Sequence, residues 1–260
     1  MKSKTFFACA CLLLSFTVFA QTNSAYEKHW LVQGNDSLPY RLLLPDNYDA
    51  SKKYPLVFFL HGAGERGNDN EAQLIHGAQF FLQADVRKQY PAIVVFPQCS
   101  QQSSWVNMSM KRDSLGTNVF AFNAAAEPTI AMEMANQLLH EIIQKYPVQK
   151  KKVYIGGLSM GGMGTFELVA RNPGLFAAAF PICGGGDPST AKKLRKTKWW
   201  VFHGAKDDVV PPAYSQEMVT ALEAAKAKVK FTLYPNANHN SWDAAFAEPA
   251  LLSWLFALKK

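Results

Sequence analysis

The feature that most constrains the fold is a series of short apolar runs separated by longer helical patterns. Each run is rich in β-branched or aromatic residues, as strands buried on both faces of a sheet require. Strands that alternate with helical patterns indicate crossover connections and therefore a largely parallel sheet. The predicted strands of this kind are 56–60, 92–96, 153–155, 177–182, 199–202 and 229–234.

Two earlier runs predict an antiparallel hairpin. The segments 29–32 and 40–44 flank the turn residues 34–37, Gly-Asn-Asp-Ser. With this hairpin the sheet has about eight strands. Repeats and low-complexity linkers are missing from the sequence, so we expect one α/β domain over residues 21–260.

Helical patterns fill the gaps between the strands. The clearest covers 128–146, where apolar residues recur every four positions and Pro147 ends the pattern. Further helices are expected after Ser159, over 218–225 and over 249–258. The long polar connection 97–127 lacks periodicity, and we expect it to be an irregular functional loop.

The first twenty residues have the pattern of an export signal. Lys2 and Lys4 precede an apolar run from Phe6 to Phe19, and Ala20 ends a small-residue cleavage site. The run is too short to span a bilayer comfortably. The sequence therefore predicts a signal peptide at 1–20 and a periplasmic or secreted protein that is not held at a membrane after cleavage.

Charge and cysteine content argue against several functions. The formal charge is +7, and removing the two signal lysines leaves 7 − 2 = +5. The basic residues are scattered and not interleaved with aromatic residues, which argues against nucleic-acid binding. Cys99 and Cys183 follow different predicted strands, so we expect free or buried thiols. No histidine, cysteine or carboxylate cluster has metal-ligand spacing, so neither a metal nor another cofactor is expected.

A candidate nucleophile lies at a strand-to-helix junction. Ser159 stands between Gly157 and Gly161 in the pattern Gly-x-Ser-x-Gly. A sharp turn there requires small residues on both sides and exposes the serine hydroxyl. The same turn directs the Met160 N–H towards an oxyanion formed at the serine.

A base and an orienting acid follow in the expected order along the chain. The strand 199–202 leads into a loop with Asp207 and Asp208, and the strand 229–234 leads into a loop with His239. Serine needs such a base, and the base needs a carboxylate partner. The carboxyl ends of parallel strands are where open α/β sheets have their sites.

Four segments carry a resemblance to the α/β-hydrolase superfamily, over essentially the whole mature chain. The branch it resembles contains bacterial esterases and predicted peptidases related to dienelactone hydrolase and polyhydroxybutyrate depolymerase. The matching segments are 60–66 (Leu-His-Gly-Ala-Gly-Glu-Arg), 157–161, 203–211 and 238–242. The resemblance implies an α/β-hydrolase fold and makes Asp207, not Asp208, the acid of a triad with Ser159 and His239. It implies oxyanion donors from the N–H groups of Ala63 and Met160, and a short connection after 177–182 implies no large cap domain.

Several neighbouring residues have two interpretations. Arg66 either forms an ion pair with Glu65 that stiffens the loop or contacts a substrate oxygen. Trp105 and Trp242 either pack in the core or stack on a sugar or aromatic acyl group of the substrate. His203 ends a buried strand, which favours a hydrogen-bonded structural role.

The motifs predict a serine esterase that acts through an acyl-enzyme. A serine peptidase or amidase with the same groups is the alternative, and a non-catalytic binding protein is disfavoured because every triad position is filled. The absence of a large cap argues against a lipase gated by a lid. We expect an ester carried on a polysaccharide or a similar polar polymer.

Overall fold

A central sheet of eight strands organises the protein. A computed structural model describes residues 23–260, so the predicted signal peptide at 1–20 lies outside the described residues. The strand order is β1-β2-β4-β3-β7-β8-β9-β10, and β5 pairs only with β6 in a separate ribbon. The strands are β1 (Glu27–Gln33), β2 (Asp36–Leu43), β3 (Tyr54–Leu60), β4 (Ile93–Pro97), β5 (Met108–Arg112), β6 (Asn118–Phe122), β7 (Val148–Leu158), β8 (Ala178–Ile182), β9 (Lys198–Gly204) and β10 (Lys228–Tyr234).

Eight α-helices and four short 3-10 turns connect these strands within residues 23–260. The helices are α1 (Ala78–Leu82), α2 (Ala84–Gln89), α3 (Ile130–Lys145), α4 (Met160–Arg171), α5 (Ala191–Leu194), α6 (Ala213–Ala224), α7 (Trp242–Phe246) and α8 (Leu251–Ala257). None of the helices in this part of the chain is long and apolar enough to cross a membrane.

The sheet is mostly parallel, as predicted. β2 runs antiparallel to both β1 and β4, and β4, β3, β7, β8, β9 and β10 are mutually parallel. The predicted hairpin is confirmed by the β1–β2 pairing, with Gly34 at a φ of 59° in its turn. Parallel strands align their carboxyl ends, so the loops that follow β3, β7, β8, β9 and β10 meet along one edge of the sheet.

Two apolar layers cover the faces of the sheet. Alternate residues of β3 point to opposite sides, so Phe58 packs in one layer and Phe59 in the other. Helices α3, α4 and α6 cover the first face, while α1, α2, α7 and α8 cover the second. At the edge, β10 is only partly buried, and Lys228 and Lys230 lie exposed on it, an arrangement that discourages pairing with another chain.

The predicted helix over 128–146 exists with shifted ends. It begins at Ile130, because Thr129 caps it by accepting a hydrogen bond from the Met132 N–H at 3.1 Å. Ile130 belongs to the apolar pattern that predicts the buried face, but its side chain is exposed. Met134 and Ile142 are buried as predicted.

The expectation of an irregular loop over 97–127 is wrong for residues 108–122, while residues 98–107 contain no helix or strand. Residues 108–122 form the β5–β6 hairpin, whose Phe120 packs with Met163 of α4 and Val210 in one apolar cluster. The Phe120 N–H also donates to the hydroxyl of Tyr214 at 2.7 Å. The hairpin is therefore anchored to α4, to the loop after β9 and to the first turn of α6.

The connection between β8 and β9 contains only a 3-10 turn and the short helix α5, so no large cap is inserted there. Cys99 and Cys183 are free and buried, in agreement with the sequence. Burial raises the pKa of the Cys99 thiol to about 12 and raises that of Cys183 as well.

Candidate active site

Ser159 lies at a strained turn between β7 and α4. Its φ of 53° and ψ of −119° fall in a region that residues with side chains rarely occupy. The turn requires glycine on both sides: a β-carbon on Gly157 would lie 2.2 Å from the Gly161 carbonyl oxygen, and one on Gly161 would lie 1.9 Å from the Leu60 carbonyl oxygen. Such contacts are forbidden, so the two glycines are what allow the serine to stand clear of the sheet.

The structure brings Ser159, His239 and Asp207 together. The His239 Nε2 lies 3.0 Å from the Ser159 Oγ, and its Nδ1 lies 2.8 Å from the Asp207 Oδ2. The three side chains come from the loops after β7, β10 and β9 respectively. This chain of contacts can move a proton from the serine to the histidine while the carboxylate orients the ring.

Asp207 is held as an anion by several donors. Its carboxylate accepts hydrogen bonds from the backbone N–H groups of Val209 and Val210, both at 2.9 Å. His203 and His239 also contact its Oδ2, at 3.1 and 2.8 Å. Burial by itself raises the pKa of Asp207, but these hydrogen bonds, led by those from His203 and His239, outweigh burial and lower the pKa overall.

Asp208 has a different environment from its neighbour. It is exposed, and its own N–H donates to the side chain of Asn238 at 3.2 Å. Of the two carboxylates, only that of Asp207 contacts the histidine.

The loop after β3 lies beside the serine. A β-carbon on Gly62 would be 3.6 Å from the Ser159 Cβ, so the Gly62–Ala63 peptide borders the nucleophile. Ala63 begins a 3-10 turn and Met160 begins α4, so neither N–H has an acceptor within its own helix. Two such N–H groups next to one hydroxyl are the donor set that an oxyanion needs.

His61 and Trp105 hold this loop in position. The His61 Nδ1 donates to the Gly62 carbonyl oxygen at 2.6 Å, and its Nε2 accepts from the Cys99 N–H at 2.9 Å. Burial lowers the pKa of His61 to about 4, which keeps the ring neutral. The Trp105 indole donates to the His61 carbonyl oxygen at 3.0 Å.

The predicted stacking of Trp105 on a substrate is therefore wrong. Its side chain is 0% exposed and belongs to the core under the loop. Trp242 differs, because it is only partly buried and its ring meets the His239 ring edge-on at 5.4 Å between centroids. On its other side lies the His76 ring, at 4.9 Å.

The expected ion pair between Glu65 and Arg66 is also wrong. Arg66 donates to the Ala63 carbonyl oxygen at 3.0 Å and to the Gln101 carbonyl oxygen at 3.3 Å, which stiffens the loop through the backbone. The Glu65 carboxylate instead lies 3.7 Å from the His76 Nε2. A contact between Arg66 and a substrate oxygen stays a prediction.

Sequence reasoning missed the β5–β6 hairpin, which lies next to the loop that carries Asp207. Asn118 donates to the Val209 carbonyl oxygen at 2.8 Å, two residues beyond Asp207. A signal was present: alternating residues over 118–122 follow the turn-forming segment Asp113-Ser-Leu-Gly116.

Within residues 23–260, one group of side chains is close enough to hold a metal ion. It consists of Cys183, Asp207 and His239, with ligand atoms within 4.8 Å of one another. Two of the three members already bond to each other, so the hydrogen bonds of the site account for this cluster.

Comparison with known proteins agrees with this geometry. A family model described as phospholipase/carboxylesterase matches residues 48–249. A probable feruloyl esterase C from Aspergillus oryzae is 24% identical over 172 residues, which cover 66% of this chain and 56% of the relative. A bifunctional acetylxylan esterase/xylanase from Neocallimastix patriciarum is 30% identical over 78 residues, or 30% of this chain and 12% of that protein. The chain thus spans little more than half, or less, of these relatives.

Among solved structures, a thermostable esterase superposes with a TM-score of 0.81 at 32% identity. The match covers 91% of this chain and 64% of that one. A ferulic acid esterase from Anaeromyces mucronatus in complex with ferulic acid, 16% identical with a TM-score of 0.60, shares the fold.

Proposed function

Because the chain belongs to the phospholipase/carboxylesterase family of α/β-hydrolases, we propose that it is a serine hydrolase that cleaves carboxylic esters. The observation that carries the proposal is the hydrogen-bonded series Ser159–His239–Asp207, with contacts of 3.0 and 2.8 Å. A nucleophile, its base and the orienting carboxylate are all within the reach that proton transfer requires.

In the first half-reaction, the Ser159 Oγ attacks the ester carbonyl carbon while its proton passes to the His239 Nε2. The carbonyl oxygen becomes an oxyanion, which the N–H groups of Ala63 and Met160 stabilise. His239 then gives the proton to the departing alkoxide, so an alcohol leaves and an acyl-serine remains. Water repeats the sequence with His239 as base and releases the acid.

Trp242 borders the side from which the alcohol leaves. Its ring contacts the His239 ring, the group that protonates the alkoxide. An aromatic face at this position packs well against a sugar ring in the alcohol portion. This position supports Trp242 as a substrate-binding residue.

We propose an acylated carbohydrate as the substrate class. The names of the relatives, feruloyl esterase and acetylxylan esterase, point in this direction. A cleft of about 980 Å³ also opens beside Arg66, lined by polar residues that include Asn68, Gln101, Ser103 and Asn107 but not by Ser159, Asp207 or His239, so it would hold a part of the polymer away from the scissile ester. Hydroxyl-rich polymers find hydrogen-bond partners in such a cleft.

Export of the protein is consistent with this substrate class, because an exported enzyme meets polymers outside the cytoplasm. The proposed signal peptide at 1–20 predicts a released protein whose chain begins near Gln21. N-terminal sequencing of protein recovered from the periplasm or medium tests it; a mature chain that still begins at Met1 refutes cleavage.

The decisive experiment is a substrate panel measured with wild type and Ser159→Ala. It compares kcat/KM for acetylated and feruloylated oligosaccharides, long-chain acyl esters and aminoacyl anilides. We expect the oligosaccharide esters to lead and Ser159→Ala to be inactive on all. A lead of tenfold for long-chain esters, about 1.4 kcal/mol in the transition state, refutes the carbohydrate assignment. A lead for anilides supports the peptidase or amidase alternative.

A further inference from the structure

A second histidine contacts the carboxylate of the triad. His203 ends β9 and is fully buried. Its Nε2 lies 2.8 Å from the Val210 carbonyl oxygen and 3.1 Å from the Asp207 Oδ2. Its Nδ1 lies 2.7 Å from the hydroxyl oxygen of Ser215 on α6.

The two groups that face the His203 Nε2 indicate that this nitrogen carries a proton. A backbone carbonyl oxygen only accepts hydrogen bonds, and so does an ionised carboxylate. Both groups facing the His203 Nε2 are therefore acceptors, and this nitrogen carries a proton.

Whether the Ser215 hydroxyl donates to Nδ1 or accepts from it depends on the other hydrogen bond that this hydroxyl makes. The Ser215 hydroxyl lies 2.8 Å from the Gly184 carbonyl oxygen, which only accepts, so the single hydroxyl proton is donated there. The Ser215 Oγ then offers a lone pair to the His203 Nδ1. All four contacts are hydrogen bonds only if Nδ1 carries a proton as well.

A neutral His203 leaves one of these contacts as two opposed lone pairs. Either the Nδ1 and Oγ face each other without a proton at 2.7 Å, or the Oγ and the Gly184 oxygen do so at 2.8 Å. The Ser215 and His203 side chains are 0% exposed, so solvent does not relieve the mismatch. Buried polar atoms without partners are strongly disfavoured.

We propose that His203 is an imidazolium in the resting protein and that it is a positioning residue for the Asp207 carboxylate. Asp207 then lies between the charged ring of His203 and the catalytic ring of His239. No proton of His203 moves in the reaction. This inference rests on the proposed function, since it assigns a role within the same site.

We expect the acid limb of the kcat/KM profile to lie at lower pH in the wild type than in a variant without the charge on His203. A cation already present at Asp207 opposes protonation of His239, because like charges at close range disfavour each other. The free base therefore survives to lower pH. Two further ionisable groups lie near this cluster: Cys183, directly after β8, whose pKa burial raises so that the thiol is neutral, and the exposed Asp208.

The first test is nitrogen NMR on histidine-labelled wild-type protein at neutral pH, with His203→Gln used to assign the signals. We expect both ring nitrogens of His203 to be protonated. One protonated and one unprotonated nitrogen overturns the proposal. Because the resting protein needs no substrate, this result is independent of whether the protein hydrolyses esters.

The second test is the acid limb of kcat/KM on a simple acetate ester. In His203→Gln, and in Ser215→Ala, which removes the acceptor for Nδ1–H, we expect the midpoint of the limb to rise by about one pH unit. Ser215→Ala is the milder change and serves if His203→Gln does not fold. His140→Gln, an exposed histidine on α3 bonded to Asn172, is the matched control and should leave the midpoint in place. An unmoved midpoint in Ser215→Ala overturns the charge assignment.

Discussion

Replacing Asp207 by asparagine tests the proposed triad most directly, because the structure dictates how the amide must sit. The Oδ1 position accepts two backbone N–H groups, those of Val209 and Val210, at 2.9 Å. Backbone donors cannot become acceptors, so the amide oxygen of the variant must occupy this position. The amide NH₂ then takes the Oδ2 position and faces the His239 Nδ1.

The amide NH₂ forces the wrong tautomer on His239. In the wild type, the Nδ1 donates to Asp207 at 2.8 Å, which leaves the Nε2 free to accept the serine proton. In Asp207→Asn, the amide NH₂ takes the shorter contact with the Nδ1, 2.8 Å, and the amide oxygen keeps the longer one, 3.1 Å. The Nδ1 therefore accepts from the amide, and the proton moves to the Nε2, which points at the Ser159 Oγ. A protonated Nε2 is no base, and kcat should fall by about ten-thousandfold, or about 5.5 kcal/mol.

Asp208→Asn is the matched control. Asp208 is exposed, and its backbone N–H keeps its bond to Asn238 in the variant. An exposed substitution of this kind changes free energies by about 0.5 kcal/mol or less, so the rate should stay within about twofold. Initial rates on an acetate ester at pH 8, with circular dichroism to verify folding, measure both variants. A folded Asp207→Asn protein within tenfold of wild type, or a larger loss in Asp208→Asn, refutes the reasoning.

Four further outcomes follow from the site. Ser159→Ala should fold but lose turnover by several powers of ten, and retained activity in the purified variant contradicts the nucleophile assignment. Gly161→Ala should lower the melting temperature strongly, because its β-carbon would meet the Leu60 carbonyl oxygen at 1.9 Å, whereas Gly64→Ala, with no atom within 4 Å, should not. Because folding lowers the pKa of Asp207, its carboxylate stabilises the folded protein above about pH 4, the pKa of an aspartate in the unfolded chain, and this stabilisation is lost as the pH falls further. Asp207→Asn should therefore flatten the fall of the melting temperature below about pH 4. Chelators should leave turnover unchanged, since every proposed step uses only side chains, backbone N–H groups and water; inhibition by EDTA that added metal reverses contradicts this.

Local features were predictable where sterics act over a few residues. The sharp turn at Ser159 requires glycine at 157 because a β-carbon there would meet the Gly161 carbonyl oxygen four residues further on, a contact within the strand–turn–helix unit, whereas Gly161 is required by the Leu60 carbonyl oxygen of the neighbouring strand β3. The β1–β2 hairpin is similar, since Gly34 supplies the positive φ that its turn requires.

Trp105 shows where such reasoning fails. Its neighbours in sequence are polar, so the sequence left core packing and stacking on a substrate equally open. The structure buries the ring because its N–H meets the His61 carbonyl oxygen, 44 residues away. The β5–β6 hairpin was missed for a related reason: its inward residues, such as Phe120, find their apolar partners on α4 and in the acid loop, not within the segment.

The proximity of Ser159, Asp207 and His239 was predictable because the order of the strands fixes the distance that must be bridged. Ser159 follows β7 and Asp207 follows β9, with β8 between them, so two strand spacings, about 10 Å, separate their backbones. One imidazole ring with hydrogen bonds of 3.0 and 2.8 Å at its two ends fills much of that gap, and the small remainder is covered by the short serine and aspartate side chains. His239 reaches the gap because β10 pairs directly with β9 and its loop begins beside the acid. Ser159 and Asp207 are thus connected through the ring of His239 from the next strand, so strand order together with the motif register that distinguishes Asp207 from Asp208 predicted this arrangement, whereas neither predicted the substrate-facing loops.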